Sequence, residues 1–91
     1  MTTEFIDEQL QRTTGYETNI AFRDVGQGPA VVLLHGTSAN FAVWHPIQEA
    51  LQDHARIIAL DQRGHGRSDQ PATGYTGVHF AADIIRVLDA L

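Results

Sequence analysis

The sequence predicts an α/β fold built on a mostly parallel sheet, and three features carry that expectation. Ala30 to Leu34 (AVVLL) is an apolar run without polar alternation, the pattern of a strand buried on both faces. Arg56 to Leu60 (RIIAL) is a second run of the same kind. Between them, Pro46 opens a stretch in which Ile47, Ala50 and Leu51 recur at helical spacing. Proline at the first helical position loses no intrahelical hydrogen bond. Strand, helix and strand in that order make a right-handed crossover, which lays two parallel strands side by side.

In chain order, residues 1–8 read as a loose lead-in, with Phe5 and Ile6 the residues expected to pack. Gln9 to Thr13 suits a short edge strand and Gly15 a turn. Glu17 to Val25 alternates loosely, which puts Ile20, Phe22 and Val25 on a buried face. Gln27-Gly28-Pro29 leads into the central strand, and His35-Gly36 leaves it at the carboxyl end, where ligands sit in open α/β sheets. The helix after Pro46 must end by Asp53 or His54 to leave room for the next strand. Gln70 to Tyr75 is a turn-rich connector. Thr76 is an N-cap for a closing helix, with Phe80, Ala81, Ile84, Ile85, Leu88 and Leu91 on one broad apolar stripe. His79 stands where a capping box has Glu or Gln, and Gly77 is a weak first-turn residue, so a frayed start is expected. No repeat or linker divides residues 1–91, which read as one domain.

Composition narrows the function classes. A hydrophobic share of 43% and a charged share of 19% belong to a soluble globular protein. Eleven acids against six bases give a net charge of -5, with no basic patch to hold nucleic acid. Without cysteine there is no disulfide framework, thiolate nucleophile or cysteine metal site. His35, His45, His54, His65 and His79 include no pair at the spacing of a helical metal site, so no metal is expected. The early residues carry acid and no long apolar run, against a secretory signal, and no run is long enough to span a bilayer. A cytoplasmic protein with no membrane partner is the expectation.

The chemistry centres on the turn after the first buried run. Gly36 lets the backbone turn sharply and leaves the amide of Thr37 free to point into a cleft, where a backbone N–H is a ready donor for an oxyanion. The second run continues into Asp61-Gln62-Arg63-Gly64-His65-Gly66-Arg67-Ser68-Asp69. The pair VVLLHGT and IIALDQRGHGRSD, in that order and separated by one helix, resembles the α/β-hydrolase superfamily, over Phe22 to Leu91. DQRGHGRSDQPATGY followed by an Ala-Ala-Asp helix looks most like its enol-lactonase and acetamidomethylenesuccinate hydrolase members.

This resemblance implies that the first two strand segments form a leading antiparallel hairpin. It implies that Thr37, beside Gly36, gives one backbone N–H to an oxyanion hole, that Ser38, Phe41 and Trp44 line a small-molecule substrate pocket, and that no cofactor is used. Trp44 has a second reading, as an anchor of the helix to the sheet. His35 precedes the nucleophile's place in the family's order of Ser, acid and His, so it is not the triad base. Its role is to orient the loop by hydrogen bonding from a semi-buried site. Asp61 and Arg63 read as a structural pair, the carboxylate accepting loop amides and the guanidinium bracing the turn, rather than as an acid–base cluster with His65. Gly64 and Gly66 let that loop bend close to the sheet, and Ser68 and Asp69 read as turn formers.

No nucleophile is recognisable. Segments 36–40 and 66–70 imitate the G-x-S-x-G elbow but lack its final glycine, and the resembled family places its elbow after the closing helix and one more strand. Residues 64–68 also lack the Gly-Lys-Ser/Thr ending of a phosphate loop. The chain is thus expected to be the incomplete amino-terminal part of a hydrolase of esters, lactones or amides of small carboxylic substrates, inactive alone. The nucleophile type, serine or aspartate, stays open. The alternative is a non-catalytic truncated fragment or interaction module. Alone, the chain is expected to self-associate through its unpaired strand edge.

Overall fold

The computed structural model describes residues 2–5, 10–36 and 41–91, without the side chains of 2–5 and of Phe41. Five strands, β1 (Thr2–Phe5), β2 (Leu10–Thr14), β3 (Ala21–Gly26), β4 (Ala30–Leu34) and β5 (Arg56–Leu60), form one sheet in the spatial order β1-β2-β3-β5-β4. β1–β2, β2–β3 and β3–β5 pair antiparallel, while β4 and β5 run parallel with Val32 opposite Ile58 and Leu34 opposite Leu60. The crossover predicted from the sequence joins these last two. It consists of a 3-10 turn, Phe41–Trp44, running into α1 (His45–Leu51). A second helix, α2 (Gly77–Ala90), follows β5 after the loop of residues 61–76.

β5 is the buried centre, because Ile57, Ile58, Ala59 and Leu60 are each at most 1% exposed. Successive side chains of a strand point to opposite faces. Ile58 and Leu60 therefore meet Ile20, Phe22 and Val87 on the face covered by α2, with Val32 and Ile84 packed alongside. Ala59 joins Leu10 and Ala21 on the other face, under Leu33 and Trp44. The two helical segments thus cover opposite faces. The small side chains of Ala21 and Ala59 let the Trp44 segment lie close to the sheet.

Several expectations are corrected. The lead-in of residues 1–8 contributes β1, which pairs with β2 from Thr2–Thr14 to Phe5–Gln11, so β2 is an interior strand rather than an edge. β4 is not buried on both faces. Ala30, Val31 and Leu34 are exposed and Val32 and Leu33 half-buried, because among the described residues only β5 flanks it.

The apolar face predicted for α1 is also turned outward, with Ile47 and Leu51 exposed, and the residue it buries is Gln48. The Gln48 amide donates to the carbonyls of Arg23 and Ile57, each at 2.9 Å, and its oxygen accepts from Arg23 Nη1 at 3.0 Å. A helix lying over two strand carbonyls needs a donor there, which a leucine could not supply.

In α2 the predicted stripe is rotated. Asp83 and Val87 are buried, Phe80 and Ile84 half-buried, and Ala81, Ile85, Leu88 and Leu91 exposed. The start of α2 is capped rather than frayed. Thr76 Oγ1 accepts from the His79 amide at 3.4 Å and lies 2.6 Å from His79 Nδ1, so the histidine makes a second bond to the cap.

Candidate active site

Because β4 and β5 are parallel and in register at Leu34 and Leu60, the residues that follow them emerge together. His35, 4% exposed, is locked against Gln62. The Gln62 amide N–H donates to His35 Nε2 at 2.9 Å, and Gln62 Nε2 donates to the His35 carbonyl at 2.8 Å. A neutral imidazole that accepts at Nε2 carries its proton on Nδ1. His35 Nδ1 therefore donates to the Gly36 carbonyl, 2.6 Å away. His35 makes these hydrogen bonds from a buried site rather than the semi-buried one expected. The His65 ring packs against it with centroids 4.9 Å apart. A Cβ at exposed Gly36 would meet nothing within 4 Å among the described residues.

The loop after β5 is organised by Asp61 and Arg63. Asp61 is 1% exposed, and its Oδ2 accepts from the Arg67 amide at 2.9 Å. Gly66 sits at φ +50°, where a Cβ would fall 2.1 Å from Asp61 Oδ2, so only glycine lets the backbone lie against the carboxylate. Gly64, at φ +80°, is covered in the same way by the Tyr75 ring.

Arg63 reaches away from the sheet. Its Nε and Nη2 donate to the two carboxylate oxygens of Asp83 in α2 at 2.7 and 2.8 Å, and its Nη1 donates to the Gly74 carbonyl at 2.6 Å. The hydrogen bond to Asp83 raises the guanidinium pKa above its ordinary value, against an opposing desolvation. The carboxylate partner of Arg63 is Asp83 and not the expected Asp61, and Nε and Nη2 of its planar fork meet both carboxylate oxygens. Ser68 and Asp69 do more than form a turn. Ser68 Oγ donates to the Asp61 carbonyl at 2.5 Å and accepts from the Ala21 amide at 2.8 Å. Asp69 accepts from the Asn19 amide at 2.8 Å and pairs with Arg12, tying the loop to the β2–β3 hairpin.

Gly36, His35, Asp61, Arg63, Gly64 and Gly66 thus gather around the carboxyl ends of β4 and β5. Trp44 packs against the cluster of Leu10, Ala21 and Ala59 and so anchors the crossover, with its Nε1 buried and without a hydrogen-bond partner among the described residues. Thr37, Ser38 and the side chain of Phe41 lie outside the described residues. Among the described residues, no three His, Cys, Asp or Glu side chains converge as a metal site, and no helix is long and apolar enough to cross a membrane. Asp83 and Gln62 are absent from the sequence-derived site. Asp83 had a readable signal, a carboxylate inside an apolar helical face.

An α/β crossover whose strand ends meet in a His-Gly turn beside an Asp-x-Arg-Gly loop defines a class, and comparison with known proteins agrees with it. Residues 29–91 match the family model for the alpha/beta hydrolase fold, and the chain belongs to that family. It is 44% identical over 69 residues to 2-(acetamidomethylene)succinate hydrolase of Mesorhizobium japonicum, covering 76% of this chain and 25% of the relative. It is 40% identical over 82 residues to epoxide hydrolase 3 of Siraitia grosvenorii, covering 87% of this chain and 25% of the relative. The solved structure of E-2-(acetamidomethylene)succinate hydrolase superposes with a TM-score of 0.81 at 38% identity, covering 88% of this chain and 30% of that one. The chain therefore spans a quarter of the length of these curated relatives.

Proposed function

We propose that this chain supplies the oxyanion-hole side of an α/β-fold hydrolase acting on an ester, lactone or amide bond of a small carboxylic substrate. The observation that carries the reading is the His35-Gly36 turn, held by Gln62 at the carboxyl ends of two parallel strands, with Gly36 exposed. In this reading the Thr37 N–H stabilises the developing oxyanion, and Ser38, Phe41 and Trp44 wall the pocket. The relative named for a succinate derivative supports a small carboxylic substrate. The nucleophile, acid and base come from outside these 91 residues. Ser68 Oγ is buried and hydrogen-bonded as donor and as acceptor, which leaves it unsuited to attack a carbonyl. A cytoplasmic setting, without nucleic-acid or membrane partners, belongs to the same proposal.

The test uses two proteins, the product of the full reading frame that contains this sequence and the 91-residue chain alone. The first is expected to hydrolyse members of a panel of activated esters, lactones and amides. The second is expected to show no turnover above a control carrying Ser38→Ala and Ser68→Ala. Turnover by the short chain that vanishes with either serine overturns the assignment of the nucleophile. A full product inert on the whole panel favours the non-catalytic alternative, an interaction module.

The short chain alone is also proposed to self-associate through β4. The Arg56 amide donates to the Pro29 carbonyl. In a parallel pair the alternate residues turn to the partner, so Ala30, Val32 and Leu34 direct their backbone groups outward. Val31 and Leu34 are each 41% exposed along this edge, which makes it a template for a second copy. The net charge of -5 opposes association weakly, because exposed charges more than about 8 Å apart are screened at physiological salt. Sedimentation at micromolar concentration is expected to show dimers or larger species, and a cooperatively unfolding monomer would mean that the edge is capped.

A further inference from the structure

The outer edge of β4 is symmetric about Val32. The parallel ladder to β5 uses the Pro29 carbonyl and the backbone groups of Val31 and Leu33, a phase fixed by the bond from the Arg56 amide to the Pro29 carbonyl. The backbone groups of Ala30, Val32 and Leu34 turn away from the sheet, and among the described residues no second strand flanks them. The helices leave this edge clear as well. α1 lies over β3 and β5, where Gln48 reaches the carbonyls of Arg23 and Ile57, and Val87 of α2 packs with Ile20, Phe22, Ile58 and Leu60. Val31 and Leu34 consequently stay exposed, on opposite faces of the strand.

We propose that two copies of the chain join β4 to β4 antiparallel about a two-fold axis through Val32, forming one continuous sheet. This rests on the self-association proposed above and extends it from which edge associates to how the copies are arranged. Residues that exchange both hydrogen bonds in an antiparallel pair must each turn their backbone groups toward the other strand. With Val32 opposite the partner's Val32, Ala30 meets the partner's Leu34, and every outward N–H and carbonyl of the strand is satisfied. Sliding by two residues carries Ala30 or Leu34 past the end of the other strand. Sliding by one sets outward groups against inward-turned ones. Parallel pairing is staggered by one residue, so the copies would not be equivalent and the pair would not close on a two-fold. Residues 30–34 hold no charge, so the axis brings no like charges together, and all the cross-strand neighbours are aliphatic. β1, at the other edge of the sheet, carries Glu4, and a charge on an edge strand discourages a pairing there that would extend the sheet into an open ribbon.

The chain has no cysteine, so single cysteine substitutions report the register directly. Hydrogen-bonded partners in an antiparallel pair lie about 5.5 Å apart at Cα and the intervening pairs about 4.5 Å, within the roughly 4.4–6.8 Å that a disulfide spans. Positions offset by two residues across the pair are about 8 Å apart, beyond that reach. Under mild oxidation of the 91-residue chain, V32C is expected to form a disulfide-linked dimer by itself. V31C and L33C are each expected to stay uncrosslinked alone and to crosslink when mixed, because Val31 faces the partner's Leu33. V31C also controls for chance collision, since Val31 is exposed and Val32 half-buried. Reduced, all three variants should sediment as the wild type does, which keeps a lost fold from passing for a lost crosslink. Crosslinking by V31C or by L33C alone means a slid register and overturns the proposal, as does an associating chain in which none of the three crosslinks. A wild-type chain that stays monomeric removes the self-association reading and this arrangement together. An associating wild type with the wrong crosslinks removes this arrangement alone.

Discussion

Replacing Arg63 with methionine is expected to destabilise the fold by about 3–5 kcal/mol, the usual consequence of removing one member of a buried ion pair. Asp83 is 1% exposed, and without the fork of Arg63 its nearest remaining cation is Arg86 Nη1 at 3.4 Å, with one oxygen shared in weaker geometry. The Gly74 carbonyl loses its donor as well. Arg63→Lys should recover only part of the loss, because a point charge cannot bridge both carboxylate oxygens and Gly74 at once. The double variant Arg63→Met, Asp83→Leu should be more stable than either single change, since no charge is then left buried alone. Urea midpoints at unchanged m-value measure all four proteins. A double variant as unstable as the singles would show that packing around the guanidinium, rather than its charge, holds the loop. The loss also reaches the site, because Arg63 directly follows the residue that holds His35, and freeing the loop from α2 loosens that grip.

The parts of this structure that were legible in the sequence depend on local chemistry. β5 announces itself as a continuous apolar run because it is covered on both faces, and Thr76 is a recognisable cap because its hydroxyl acts within one turn. Gly66 could be flagged as special, but the carboxylate it makes room for is chosen by the loop as a whole. Counting apolar residues alone misplaces the buried stripe of α2. Phe80, Asp83, Ile84 and Val87 lie at i, i+3, i+4 and i+7, a regular helical face with a charge at its centre, and that face is the one turned to the sheet. Excluding the aspartate shifted the apparent face to Ile85 and Leu88, which are exposed. Gln48 escaped for a similar reason, since a polar residue is buried there by two strand carbonyls that no reading of the helix itself reveals. The exposure of β4 was illegible because an apolar strand reports that it expects cover, and not which part of the protein supplies it.

Thr37→Pro is expected to lower kcat of the full reading-frame product by on the order of a hundredfold, about 3 kcal/mol of lost transition-state stabilisation, and far more than Thr37→Ala. Alanine keeps the backbone N–H that the hydrolase reading assigns as donor, while proline alone removes it. Proline also confines the preceding residue, but that residue is Gly36, the one most able to adapt, and a Cβ there would meet nothing within 4 Å among the described residues. Circular dichroism separates loss of the donor from loss of the fold, and equal rates for well-folded proline and alanine variants would exclude Thr37 as a donor.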